Sequence, residues 1–493
     1  MHSLFTSEFG LGAHFGELFL VTALESHCSK PCFTPILTSS IMEQVKLGIL
    51  GGGTVGGGVW QALTTNGALM AARLGLNLII NRVAVRDLRR SRPITIPSHR
   101  LTTDWRSVVT DPENQIIVEL MGGTSLAREA VSTALRLGKP VVTANKALLS
   151  AHGPELFNLA AKHKTNLYYE AAVAGGIPII KALRESFAGN RITRIAGIVN
   201  GTCNYILTRM KLEGADFASV LADAQRLGFA EKEPSLDVDG HDAAHKTGIL
   251  ASLAHGFWVN PSEIHTEGIC HVSKLDIEFA TQLGYTIRLL GIVKPVPSPA
   301  PVRGKSTLRS KKRTDPSSLI QVSVYPALIP NSHVLASVNY AFNAVAIQGD
   351  IVGDTLFYGR GAGQDPTASS VLSDLADAAL DLRAGTFNRV PPFTGHNTQC
   401  HVAHMDEILS RFYVRLDVID RPGVFARIAS LLATANIGIS SIIQPEGHSG
   451  ETVPVILMLD EATNRAARKA LAKIAQLPVV KSPPVLLRVE TLE

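Results

Sequence analysis

Asp242 and Lys246 stand four residues apart at the head of a run rich in Ala, Leu and Ile that continues through Leu253. Read as a helix, that spacing puts both side chains on one face. A lysine entering an otherwise apolar helix is costly to bury unless it is paired, and Asp242 supplies the partner. Spacing alone also fits an ordinary surface ion pair, worth roughly 0.3–0.5 kcal/mol. The carboxylates just upstream, in Glu231-Lys232-Glu233-Pro234-Ser235-Leu236-Asp237-Val238-Asp239, shift the balance, since an amino-acid substrate needs anions to hold its ammonium. A positioned lysine is also what carbonyl reduction needs. Negative charge grows on oxygen as hydride arrives, and a nearby cation stabilises that charge and donates a proton.

Such chemistry needs a hydride carrier, and the chain opens on a place for one. Val45–Leu50 is a short apolar run, read as a buried parallel strand. It leads into Gly51-Gly52-Gly53-Thr54-Val55-Gly56, with a helix expected from about Gly57. Placed between strand and helix, Gly51 makes the tight turn, Gly53 allows close approach to a pyrophosphate, and Gly56 lets the helix pack closely. The helix N-terminus then offers N–H groups to phosphates; a glycine-rich turn without a ligand is the plainer alternative. A second strand, Arg82–Val85, ends at Arg86-Asp87-Leu88-Arg89-Arg90. An acid there binds a ribose 2′-hydroxyl and an arginine a 2′-phosphate, so NAD and NADP both remain open, with the three arginines favouring NADP. Strands at Ile116–Leu120 and Pro140–Thr143 flank a helix at Ser125–Leu137, an alternation that implies a doubly wound parallel sheet. Thr143-Ala144-Asn145-Lys146 follows a strand's carboxyl end, where such sheets bind ligands.

With Asn200-Gly201-Thr202-Cys203-Asn204-Tyr205-Ile206 and the Asp-Val-x-Gly-x-Asp-x-x-x-Lys signature at Asp237–Lys246, the chain from about Val45 to about Asp381 resembles the homoserine dehydrogenase family. Cys203 takes a position where Thr or Ser is usual. The resemblance implies reversible, NAD(P)-dependent reduction of L-aspartate 4-semialdehyde to L-homoserine, in threonine and methionine biosynthesis. It implies Lys246 as proton donor, Asp242 as its orienting partner, and Glu231 and Asp237 as holders of the substrate. Lys146 and Thr143 would lie beside the nicotinamide, Lys146 counting also with the catalytic set. The dinucleotide would further contact Gly51, Gly53, Thr54, Val55, Gly56, Arg86 and Gly363. Glu170-Ala171-Ala172-Val173-Ala174-Gly175-Gly176-Ile177-Pro178 is similar to the family's sodium loop, in which Glu170 and the carbonyls of Val173, Gly175 and Ile177 would coordinate the ion; from sequence alone it reads as a glycine-rich hinge. Gly359–Ser369 resembles a second glycine-rich loop that covers the nicotinamide, with Arg360 where Pro is common. A helix over Pro366–Leu382 should then pack back on the nucleotide domain.

The expected architecture is α/β. A Rossmann domain over 42–170 is completed by 355–388, an α+β substrate-binding and dimerisation domain spans 171–354, and a linker covers 389–409. Residues 410–493 follow in βαββαβ order, the ferredoxin-like arrangement, and Leu416–Val424 with its Asp420-Arg421-Pro422-Gly423 turn resembles an ACT domain. That resemblance implies feedback control, with threonine as effector; a purely structural, dimerising unit is the alternative. Val293–Ser318, with Pro295, Pro297, Pro299 and Pro301 and then Lys305, Arg309, Lys311, Lys312 and Arg313, reads as an exposed, mobile insertion between strands. Residues 1–41 read as an unstructured leader from an upstream start codon, because Met42 directly precedes the first strand. Too little chain precedes Val45 for a fused aspartate kinase.

Lys+Arg 47 against Asp+Glu 42 gives a net charge of +5 with no concentrated basic face, which argues against nucleic acid as partner. No apolar run reaches the roughly 18 residues a spanning helix needs, and five scattered cysteines suit a reducing, cytoplasmic setting. A homo-oligomer, dimer or tetramer, is expected. A phosphoglycerate dehydrogenase with an ACT tail is a competing possibility, but its Arg, Glu and His set finds no place here. A non-enzymatic sensor of nucleotide and amino acid needs none of Lys246, Asp242, Glu231 and Asp237.

Overall fold

The computed structural model describes residues 42–296, 319–446, 448 and 450–492. The leader 1–41 and most of the insertion, 297–318, lie outside the described residues.

The first domain alternates strand and helix: β1 (Gln44–Leu50), α1 (Thr54–Leu74), β2 (Asn77–Ala84), β3 (Leu101–Thr102), α2 (Trp105–Thr110), β4 (Ile116–Glu119), α3 (Ser125–Arg136), β5 (Val141–Thr143), α4 (Lys146–Lys162) and β6 (Leu167–Tyr168). Its six strands are all parallel, in the order β3-β2-β1-β4-β5-β6. Strand order reverses between β1 and β4, which opens a crevice at their carboxyl ends. Leu47, Ile49, Ile116 and Val118 are fully buried on one face and Leu50, Ile117 and Val141 on the other, so the sheet is anchored on both faces. Two elements start earlier than the sequence suggests. α1 begins at Thr54, because Gly56, Gly57 and Gly58 are buried helical residues rather than a helix start. β2 begins at Asn77, its polar Asn77 and Asn81 masking a strand that pairs with β1 along its whole length.

The second domain contains α5 (Ile179–Lys181), β7 (Ile192–Ile198), α6 (Gly201–Glu213), α7 (Phe217–Arg226), α8 (Ser235–Val238), α9 (His241–His255), β8 (His265–Thr266), α10 (Lys274–Gln282), β9 (Tyr285–Pro295), β10 (Leu319–Pro330), β11 (Phe342–Gly349) and β12 (Gly353–Arg360). β9 and β10 pair antiparallel from Ile320–Pro295 to Pro330–Tyr285. Val293, Lys294 and Pro295 are therefore strand, and the insertion connects the ends of one hairpin. β12 pairs with β11 as far as Arg360, so the return to the nucleotide domain starts after Arg360 rather than at 355. It is made by α11 (Gln364–Ala384), whose Ala368, Val371, Leu375 and Ala378 share a buried cluster with Val45, Leu47 and Val59.

The tail runs β13 (His401–Val402), β14 (Leu409–Ile419), α12 (Val424–Thr434), β15 (Ile439–Ile443), β16 (Thr452–Thr463), α13 (Asn464–Ala475) and β17 (Val485–Val489). β14–β17 form an antiparallel sheet in the order β17-β14-β16-β15. The tail is not a separate bead: β17 also pairs in parallel with β10, giving one sheet of eleven strands. Two part-buried ionic contacts reinforce the seam. Arg488 forks onto Glu267 at 2.7 and 2.9 Å, and Asp276 accepts from Tyr413 at 3.0 Å and Arg415 at 2.8 Å. No helix among the described residues is long and apolar enough to cross a membrane.

Candidate active site

The glycine turn after β1 is shaped for a ligand. Gly51 holds φ at +112°, and a Cβ there would sit 2.4 Å from the Leu120 carbonyl oxygen. A Cβ on Gly56 would lie 1.9 Å from the Gly51 carbonyl oxygen, whereas one on Gly53 would meet nothing within 4 Å. Gly56 thus allows the helix to close on the turn itself, and Gly53 faces open space. No side chain caps α1 at Gly53, so the first-turn N–H groups of Thr54, Val55 and Gly56 remain available to anionic oxygens. Beyond β2, Arg86, Arg89 and Arg90 are exposed. Asp87 is partly committed to the loop, accepting from the Arg89 amide at 2.8 Å, while Arg92 donates to the carbonyls of Asp87, Leu88 and Arg90.

Across the crevice, α9 carries the charged pair. It starts at Gly240, whose φ of +86° and packing against the Glu267 carbonyl suit only glycine. Asp242 lies in the first helical turn, where the dipole favours an anion. Lys246 is 8% exposed, and its Nζ donates to Asp242 Oδ2 at 2.7 Å and to the Val199 carbonyl at 2.8 Å. Lys146, the first residue of α4, reaches the other oxygen, Asp242 Oδ1, at 3.1 Å. Asn200 completes the cluster: its Nδ2 donates to Asp237 Oδ1 at 2.8 Å and to Asp242 Oδ2 at 2.9 Å. Its Oδ1 caps α6 by accepting from the Cys203 amide at 2.8 Å. The Cys203 thiol donates to the Asp237 carbonyl at 3.1 Å, as a hydroxyl could.

Burial alone would raise the Asp242 carboxyl, but Lys246, Lys146 and Asn200 together hold it well below the usual carboxylate range. Asp242 is therefore a fixed anion between two cations. Asp237 is instead pushed upward, first by burial and also by Asp242, against the Asn200 bond. The cluster thus contains a strong anion, a weaker one, and an ammonium with two of its three N–H groups already bound.

Lys146, Asp237, Asp242 and Lys246 come together, and Thr143, at the end of β5, lies three residues before Lys146. Thr143 is buried, with its hydroxyl donating to Glu119 at 2.7 Å and accepting from the Asn145 amide at 3.0 Å. Gly363, at φ +123°, precedes α11 without a side-chain cap. Glu231 does not join the cluster: it is exposed, and only its backbone carbonyl is engaged, by Gln225. In the proposed sodium loop, both Glu170 oxygens accept backbone N–H groups, from Ile180 at 2.9 Å and Lys181 at 2.7 Å. The Gly175 carbonyl accepts from Ser370, and the Ile177 carbonyl from the Ile179 amide. Carboxylate and carbonyl oxygens retain further lone pairs, so this all-oxygen set is compatible with a hard cation.

Two residues went unassigned in the sequence. Asn200 had a signal, since Asn before a helix is a favoured cap, but its bridging of two carboxylates depends on contacts 37 and 42 residues away. Glu119 reads as the end of an apolar strand. It is fully buried, with its carboxyl raised chiefly by desolvation, and it fixes Thr143.

Three segments of the chain match families of known proteins. Residues 51–170 match the family described as homoserine dehydrogenase, NAD binding domain; residues 178–376 match homoserine dehydrogenase; and residues 412–476 match the ACT domain. A homoserine dehydrogenase of Neisseria gonorrhoeae is 41% identical over 92% of this chain and 100% of its own length. A crystal structure of a homoserine dehydrogenase from Thiobacillus denitrificans is 40% identical, with a TM-score of 0.82 over 92% of this chain and 99% of that one. A hyperthermophilic archaeal homoserine dehydrogenase in complex with NADPH is 26% identical, with a TM-score of 0.54 over 69% of this chain and 98% of that one.

Proposed function

Because this chain belongs to the homoserine dehydrogenase family, we propose that Lys246 is the proton donor for its reaction, the NAD(P)-dependent interconversion of L-aspartate 4-semialdehyde and L-homoserine. A nicotinamide dinucleotide, when bound, supplies or accepts the hydride. The chain's own residues do the rest. Asp242 and the Val199 carbonyl each take one N–H of Lys246, which leaves the third for the aldehyde oxygen. That N–H stabilises the growing alkoxide and then transfers its proton. In the oxidative direction the neutral amine takes the alcohol proton back. Lys146, on the opposite oxygen of Asp242, adds positive charge at the nicotinamide side of the crevice. Asp237, with Glu231 brought in from its exposed loop, holds the substrate ammonium.

The observation that carries this reading is the buried Lys246 with one donor unspent. The test is homoserine-dependent reduction of NADP and NAD by the purified chain. Turnover with homoserine supports it, and absence of turnover with either cofactor overturns it. NADP is the favoured cofactor, supported by the three exposed arginines after β2 and the commitment of Asp87 to its own loop. A sodium ion would be held by Glu170 and the carbonyls of Val173, Gly175 and Ile177.

The tail would bind threonine. Its support is a cavity of about 470 Å³ at the Asp420–Gly423 turn, lined also by Phe425, Ile428 and Gln444. The tail is also joined towards the active site by covalent and hydrogen-bonded steps that start from β17. Arg488 on β17 holds Glu267, and two residues later the Ile269 amide donates to the Val238 carbonyl, beside Asp237. Homo-oligomerisation through the second domain is supported by the outer face of β12, where Leu356 and Tyr358 are exposed.

A further inference from the structure

Asn343 is 1% exposed, and neither its Oδ1 nor its Nδ2 has a hydrogen-bond partner. Leaving such an amide unsatisfied in a protein interior is costly, and most buried polar atoms are paired. A leucine of similar volume would fill the same space without that cost. The amide sits on β11, opposite Gly359 of β12 and next to Ala344, which pairs with Ile198 of β7.

Its surroundings are those of the active site. A Cβ placed on Gly201, the residue after Asn200, would lie 3.5 Å from Asn343 Oδ1. A Cβ on Gly361 would fall 1.9 Å from Nδ2 and 2.1 Å from Cγ, so the bare Cα of Gly361 rests on the amide. The Gly361 carbonyl in turn crowds Gly175, where a Cβ would be 2.5 Å away. Two glycine-bearing segments therefore meet one unpaired amide: Gly361 covers it, and Gly201 beside it lies two residues along the chain from the Val199 carbonyl that receives Lys246. Its cover is the loop Gly361-Ala362-Gly363, whose one side chain is a methyl group.

We propose that Asn343 is a further cofactor-site residue, which pairs with the primary carboxamide of the bound dinucleotide when the 361–363 loop adjusts. An asparagine side chain offers a donor and an acceptor side by side, the complement of another primary amide. The substrate's carboxylate can only accept and its ammonium only donate, whereas the dinucleotide's carboxamide carries a donor and an acceptor side by side on one planar group. This inference rests on dinucleotide binding in the crevice.

The test measures binding by titration calorimetry to the full chain, with three ligands: NADP, its 3-acetylpyridine analogue in which the carboxamide amino group becomes methyl, and 2′-phospho-ADP-ribose. In the unaltered chain, NADP should bind about tenfold more tightly than the analogue, the ratio one neutral hydrogen bond supplies. In Asn343→Leu that preference should disappear, with 2′-phospho-ADP-ribose still bound as before. Asn343→Gln, which keeps the amide, should recover part of the preference. A preference for NADP that persists in Asn343→Leu overturns the proposal. Loss of 2′-phospho-ADP-ribose binding in the unaltered chain would instead overturn the cofactor reading on which it rests. Should Asn343→Leu alone lose the fragment through misfolding, Asn343→Gln and Asn343→Ser decide, and equal preference in all three chains refutes the amide's role.

Discussion

Replacing Asp242 by asparagine removes one negative charge from between two lysines while keeping the shape. Lys246 Nζ lies 2.7 Å and Lys146 Nζ 3.1 Å from its two oxygens, and the carboxylate side chain is 8% exposed. Unit charges about 4 Å apart couple by about 4 kcal/mol at an effective dielectric of about 20. Losing that attraction disfavours the charged amine at Lys246 by a similar amount, equivalent to about three pH units. Aldehyde reduction needs the protonated amine, so the alkaline limb of its kcat profile should move down by about two to three pH units in Asp242→Asn. At pH 9.5 the fall in kcat should be about 10- to 100-fold, and it should largely recover at pH 6. The assay is steady-state reduction of L-aspartate 4-semialdehyde from pH 5.5 to 9.5, with NADPH affinity measured separately by fluorescence. A profile that overlays the unaltered enzyme, with kcat within threefold, refutes the claim that Asp242 maintains the charge on Lys246.

Three further outcomes follow from other parts of the molecule. Arg86→Ala should raise KM for NADP by about tenfold, as expected for a lost charge-assisted contact, with KM for NAD changed less than twofold in the same assay. Asp420→Ala and Gln444→Ala, in the tail cavity, should each raise the threonine concentration for half inhibition at least tenfold while leaving kcat unchanged; unaltered inhibition in both would remove the tail as the sensor. Burial, with Glu170 nearby, pushes the Asp374 carboxyl up to about 8. The folded chain therefore holds a proton there that the unfolded chain releases above about pH 4, so this group's contribution to stability falls as pH rises from about 4 to 8. Asp374→Asn should flatten that decline, read as a smaller drop in Tm between pH 5.5 and 8.5.

What was legible in the sequence is what depends on near neighbours. The Gly51–Gly56 turn follows from glycine spacing after an apolar strand, and the Asp242–Lys246 bond from helical periodicity. The tail's strand and helix order follows from alternation and the Asp420–Gly423 turn. What was not legible depends on distant pairing. Asn200 becomes a bridge only because β7 and α9 bring Val199 and Asp242 together. Nothing in Val485–Val489 indicates that it would leave the tail's own sheet to pair also with Ala327 and Leu328. That junction changes how regulation can be tested, because deleting the tail would strip Arg488 from Glu267 and Arg415 from Asp276. Point substitutions in the cavity avoid that damage. Asn343 was invisible for the opposite reason: Phe342–Val345 reads as ordinary strand, and the missing partners appear only in three dimensions.

The most direct measurement is single-turnover hydride transfer by Lys246→Ala, followed at NADPH absorbance, beside equilibrium binding of NADPH to the same variant. A positioned general acid contributes about 10²- to 10⁴-fold, so the transfer rate should fall by at least 100-fold with NADPH binding within about threefold of the unaltered chain. A transfer rate close to that of the unaltered chain, with binding intact, would contradict the assignment of Lys246 as the proton donor.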